Sequence, residues 1–329
     1  IKMNFPFLNG ESLEVKLERF SVYKKSFKVL KKTKDGTIRI PYISKLKTYK
    51  IKGKRINEDG LEIKVSGIII IKDGILQGNI HMPGKIYDIK KGELNKPQTL
   101  LTCDTEDEPS ATTERTVRDS IERSIAQQRV ANDDICINIA MLLPYEFLTI
   151  IFNNNVESML DYAIATVAST AEIYDQDLNL TVTLGMFYMY DDAESCPFAG
   201  GSITSGSYLS KTRDEFQDNQ DLIDATYNVR SVGCTLDTRL PGGMAYGYSL
   251  CENVYGMFVA GNANYGLGIQ DLSNPFTYFT NSNSLMTKVF AHELGHVCGA
   301  KHTHDCNAAI EYEFDPSINF SGGQIDLCG

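Results

Sequence analysis

Apolar and polar residues alternate from Leu13 through Val15 and Leu17, slip one place, and resume at Phe20 and Val22; Leu61, Ile63 and Val65 repeat the pattern. A period of two predicts strands. Residues 68–71 are four isoleucines, followed by Lys72-Asp73-Gly74 and then the segment Ile75–Ile80. That order predicts a hairpin, because Asp-Gly accepts the positive φ angles of a tight turn. No convincing helical period precedes about residue 112, so 1–102 read as a small all-β domain. Residues 103–112 (CDTEDEPSAT) are acidic with Pro and Ser, as a linker would be, and 113–129 fit a charged helix exposed all round. The pattern then changes. A strand is predicted over 135–143, and a helix with Met159, Leu160, Ala163, Ile164, Val167 and Ala168 on one face follows it. Further elements are a strand over 180–190, a helix near 211–225, strands near 229–235 and 243–248, and a long helix over 284–298. The chain therefore divides into a β-rich segment 1–102, a linker and exposed helix 103–133, and an α/β domain 134–329.

Length fits this division, since 329 residues exceed one ordinary core. An apolar fraction of 42% and a charged fraction of 22% place the chain among folded globular proteins rather than disordered ones. No apolar run approaches the ~18 residues of a membrane helix. The net charge of −10 hides an asymmetry: residues 1–100 carry 22 Lys and Arg against 10 Asp and Glu, and the rest carry 10 against 32. Two such segments attract one another, and the basic one is expected to dock over an acidic cleft of the other. No aromatic-interleaved basic motif accompanies the basic segment, so nucleic acid is not an expected partner. Eight cysteines, seven of them after Ile135, suggest some disulfides and an oxidising compartment. Secretion is the expected localisation, although the opening IKMNFPFLNG has no signal-peptide pattern.

The candidate chemistry lies in the last helix, in the run from His292 and Glu293 through His296 and Gly299 to His302. Residues four apart share a helical face, so His292 and His296 can aim their rings at one ion. Gly299 permits the left-handed backbone that ends a helix and can bring His302 back as a third ligand. Three neutral imidazoles leave a tetrahedral Zn2+ one position for water, the arrangement of a catalytic site. Glu293 follows the first ligand and is the candidate general base for that water. At average residue frequencies this pattern arises by chance with a probability on the order of 10⁻⁵ in such a chain. Four of the five histidines lie between 292 and 304; the fifth, His81, reads as an ordinary strand residue. So acidic a domain admits Ca2+, but no loop has the ligand spacing of a specific site.

The run 292–302 resembles the zinc-binding consensus of metzincin peptidases, and the following His302-Thr303-His304-Asp305-Cys306 with Cys328 is similar to the adamalysin (reprolysin) branch, especially its bacterial-type members. The resemblance implies a zincin-like catalytic domain with a mixed sheet and an active-site helix. Gly243, Met244, Ala245 and Tyr246 resemble the family's edge strand, which pairs with extended substrate. Residues 1–102 are similar to its propeptide, which implies a latency or folding role for that segment. A Cys306–Cys328 disulfide is implied in the same way. No methionine follows His302, so the family's methionine turn is expected beyond Gly329. Cys298 stands where a bulky apolar residue is common and is expected to act as a buried small hydrophobe.

Two further readings accompany these expectations. Cys103 could supply a latency thiolate to the zinc, though its flank, Thr102 to Asp107, is acidic and disfavours a thiolate. In place of an endopeptidase acting on extended polypeptides, the fold could serve as a catalytically inactive, zinc-containing adhesion or binding module. Retention of Glu293 separates the two, because a structural zinc needs no base.

Overall fold

The structure is a computed structural model and describes residues 2–6, 12–56, 60–82, 85–90, 93–94, 136–201, 203–226, 231–240, 242–247, 250, 256–261 and 275–300. Residues 1–98 and 136–301 form one compact unit. Nine strands precede residue 95 among the described residues: β1 (Lys2–Pro6), β2 (Ser12–Phe20), β3 (Tyr23–Thr33), β4 (Gly36–Ile40), β5 (Lys47–Ile56), β6 (Glu62–Lys72), β7 (Ile75–Met82), β8 (Lys85–Lys90) and β9 (Glu93–Leu94). Seven of them make an antiparallel sheet in the order β1-β2-β5-β6-β7-β8-β9. The β6–β7 hairpin turns at Asp73 (φ 49°) and Gly74 (φ 81°), as the Asp-Gly pair predicts. The run of isoleucines in β6 has a structural cause. Ile69 faces a core shared with Val15, Ile51 and Ile80, while Ile68 and Ile70 face a second core on the other side. Both faces of β6 are buried there, so alternation gives way to a continuous apolar run.

That second core belongs to the remainder of the unit. Here β10 (Cys136–Leu143), β11 (Thr181–Tyr190), β12 (Ser231–Leu236), β13 (Met244–Ala245) and β14 (Gly256–Ala260) form a mixed sheet. Its order is β13-β14-β12-β10-β11-β3-β4. β3 and β4, which alternation groups with the N-terminal β segment, thus leave that segment's sheet and extend this one, β3 running parallel to β11. Neighbouring pairs from β14 to β3 are parallel, and β13 is antiparallel to β14. Helices cover both faces. α1 (Val156–Leu178) and α4 (Pro275–Val297) lie against Ile137, Ile139, Met141 and Phe258, whereas α2 (Ser205–Asp218) and α3 (Gln220–Thr226) lie against Ala140, Leu142 and Tyr188. Among the described residues, no helix is long and apolar enough to cross a membrane.

Asn155 caps the start of α1 by accepting from the Ser158 amide at 3.0 Å, and Asn179 ends it in the left-handed region at φ 53°. The sequence predicts one apolar face for this helix. Instead every residue from 158 to 172 is buried, because the mixed sheet, α4 and β6 enclose the helix between them. Two acidic side chains are caught inside. Asp161 accepts from Lys72 Nζ at 2.5 Å, from Ser44 Oγ at 3.0 Å and from the Tyr42 hydroxyl. Glu172 accepts from the Gly67 amide at 3.0 Å, and its other oxygen lies 3.8 Å from His81 Nδ1 with no hydrogen bond.

Burial raises the Glu172 carboxyl to about 7, and burial lowers the His81 imidazole to about 4, so their approach is not an ion pair. The two groups bound a pH window. A raised carboxyl contributes stability at low pH that is lost as pH climbs through about 7. A depressed imidazole contributes above its ordinary value and loses that contribution as pH falls through about 4. Thermal melts are expected to peak between about pH 4.5 and 6.5 and to fall towards pH 8.5. A Glu172→Gln variant should lose the alkaline part of this dependence; an unchanged profile would remove Glu172 as its source.

Candidate metal centre and active site

α4 carries the histidines because its apolar residues recur at helical spacing: Met286, Val289, Phe290, Leu294 and Val297 are buried against the sheet. His292 and His296 fall on an adjoining, half-buried face. Their Nε2 atoms are 3.0 Å apart and the ring planes are nearly perpendicular, at 84°. His296 Nδ1 lies 2.7 Å from the Ala300 carbonyl oxygen. A carbonyl only accepts, so Nδ1 carries the proton and the Nε2 lone pair faces His292.

The end of the helix supplies that carbonyl. The Gly299 amide donates to the His296 carbonyl and the Ala300 amide to the Gly295 carbonyl, each at 2.9 Å, with Gly299 at φ 100°. This pair of bonds is the Schellman arrangement, and it needs a residue free to adopt positive φ. The reversal read from Gly299 is therefore present. Cys298 corrects its expectation: it is exposed, because it is the residue just past the helix and its side chain leaves the packed face. His302, Cys306, Cys328 and Cys103 lie outside the described residues. Among the described residues no group of three or more His, Cys, Asp or Glu side chains gathers.

Glu293 is only 6% exposed. Its carboxylate lies against the backbone at Gly243, where a Cβ would collide with the Glu293 side chain. The strand that begins there is the edge singled out in the sequence. Met244 pairs with Val259 and Ala245 with Phe258, and the Tyr246 amide donates to the Met257 carbonyl at 3.0 Å. β13 is outermost in its sheet among the described residues, and Met244 is 43% exposed. The edge strand and the candidate base therefore adjoin.

Two supporting groups were not legible in the sequence. The Tyr174 hydroxyl of α1 donates to the Ala291 carbonyl at 2.8 Å, holding α4 immediately before His292. Burial pushes that phenol's pKa up, so it remains a donor. The Leu250 amide donates to the Val297 carbonyl at 3.1 Å and ties the chain after β13 to the end of α4. No local signal marks either residue, since each contact joins distant parts of the chain.

The basic segment does not occupy this end of the sheet among the described residues. β3 and β4 sit at the edge opposite β13. The acidic groups that the segment meets are on α1 and at the end of β11, with Lys45 on Glu157, Lys72 on Asp161, Lys50 on Asp175 and Lys31 on Asp191, rather than in a cleft beside α4. Charge complementarity is thus spent on the α1 flank and the end of β11. Residues 135–321 match the family model of Reprolysin_5, metallo-peptidase family M12. No curated protein matches the chain.

Proposed function

Because the chain belongs to metallo-peptidase family M12, we propose that it is a secreted, zinc-dependent endopeptidase cleaving extended polypeptides. The supporting observation is the pairing of two imidazole nitrogens 3.0 Å apart on one helix with a carboxylate held against a sheet edge. The donor set fits zinc: His296 presents an Nε2 lone pair fixed by its Nδ1 contact, and His292 faces the same point. His302 completes the set in this reading. When bound, zinc supplies Lewis acidity to a water and to the scissile carbonyl.

The protein's own groups do the rest. The outer main-chain edge from Gly243 to Tyr246 receives the substrate as an added strand, so backbone hydrogen bonds fix the peptide's direction. Glu293, shielded from bulk water beside that strand, takes the proton of the attacking water and returns it to the departing amine. Burial of its neighbours Leu294 and Val297 keeps the helix from rotating the carboxylate away. The adhesion-module reading leaves this sheltered base without a task.

Cleavage of a denatured protein mixture tests the proposal. Hydrolysis blocked by a chelator and restored by Zn2+ is expected; metal-bound protein that cleaves nothing sinks it. Substituting Gly243→Ala is expected to lower kcat about 10²-fold with zinc content unchanged, because the new methyl displaces the Glu293 carboxylate. Steady-state kinetics with metal analysis would check this.

Of the two roles expected for the basic segment, assistance in folding fits its contacts better than occlusion of the site. It completes the mixed sheet and buries α1 at a distance from β13.

A further inference from the structure

The N-terminal segment and the 136–301 segment share one core. Val22, Val29, Leu46, Ile68 and Ile70 are buried in the same cluster as Ile164, Val167, Leu184 and Phe290. The main chains are also joined as a sheet. β3 pairs with β11 from Met186–Lys28 to Tyr190–Lys32, the Leu184 amide donates to the Val22 carbonyl at 2.7 Å, and the Asp191 amide to that of Lys32 at 3.2 Å. The ion pair at the centre of this junction is buried, although those around it reach solvent. Asp161 is fully buried, and Lys72 and Asp161 have side-chain exposures of 10% and 1%.

Gly67 adds a main-chain contact across the junction. At φ 137°, packed on the Asn79 carbonyl of β7 in its own sheet, it donates its amide to the Glu172 carboxylate of α1 at 3.0 Å. A detachable cover would meet its partner through solvated side chains and leave the partner's sheet and core closed without it. Here α1 has no solvent-facing side between 158 and 172, and β11 is not an edge.

We propose that residues 1–98 are a permanent subunit of this fold, which stays bound to 136–301 by non-covalent contacts after the connecting residues 99–135 are cut. Cleavage between the two segments then opens the connecting chain without releasing the β segment. The partner that the α1 flank and the β11 edge are built for is the chain's own basic N-terminal segment, with β6 on α1 and β3 on β11. Exposed ion pairs such as Lys45–Glu157 add little. The sheet pairing and the buried Lys72–Asp161 contact hold the complex, so it resists salt.

The test uses the full chain with a specific protease site inserted between Asp107 and Glu108. After native cutting, confirmed on a denaturing gel, the material is run by gel filtration at about 0.15 M and about 1 M salt. Elution of both fragments together, at the volume of the uncut protein, is expected at both salt concentrations. Elution of the N-terminal fragment, which ends at the inserted site after Asp107, by itself at either concentration overturns the proposal. Peptidase activity is not the readout, so either outcome leaves the zinc assignment to its own experiment.

Discussion

Replacing Glu293 by Gln is expected to lower kcat for peptide cleavage by about 10²–10⁴-fold while zinc remains at one ion per chain. The amide keeps the shape of the carboxylate, so its contact with the Gly243 backbone survives and the histidines keep their geometry. What it loses is the capacity to accept a proton. KM should change little, because substrate is received on the main chain of β13. Metal analysis beside steady-state kinetics makes the result interpretable. Full turnover by the zinc-loaded variant removes Glu293 from the chemistry, whereas loss of zinc along with activity assigns it a structural task instead.

Much of this site was legible because its parts are local. A helix places residues four apart on one face, and a glycine with positive φ ends it, so His292, His296 and Gly299 carry their geometry in their spacing. The β6–β7 hairpin was legible for the same reason, in Asp73-Gly74. What escaped depends on contacts between distant segments. Nothing within residues 23–40 says that they leave one sheet for another, since an alternating strand pairs equally well with either. β14 (GMFVA) is five residues buried on both faces, a run too short and uniform to separate strand from helix. α4 begins at Pro275, earlier than its apolar period suggests. A proline suits a first helical turn, but Thr277, Asn281 and Asn283 mask the signal. The predicted helix near 211–225 is two helices, broken at Asn219, whose backbone is extended at φ −101°, ψ 112°.

Substituting Asp161→Ala is expected to lower the melting temperature by about 10 °C, from a loss of about 3–5 kcal/mol. The cost arises from what remains: Lys72 stays buried with its nearest carboxylate removed, and the Tyr42 and Ser44 hydroxyls lose their acceptor. Glu157, 3.5 Å from Lys72, recovers part of it from a more exposed position. Asp161→Leu combined with Lys72→Met should melt closer to the parent than the sum of the single changes, because the paired charges leave together. Additivity of the two would mean that the ion pair does not couple the segments. The comparison also tells which interactions matter at this junction. Exposed pairs such as Lys2–Glu14 lie within the N-terminal sheet and are screened by water. Lys72–Asp161 instead joins β6 to α1, the helix whose Tyr174 supports α4 ahead of His292. A defect at Asp161 therefore reaches the candidate site through one rigid helix, and zinc affinity in the folded variant should fall with its stability.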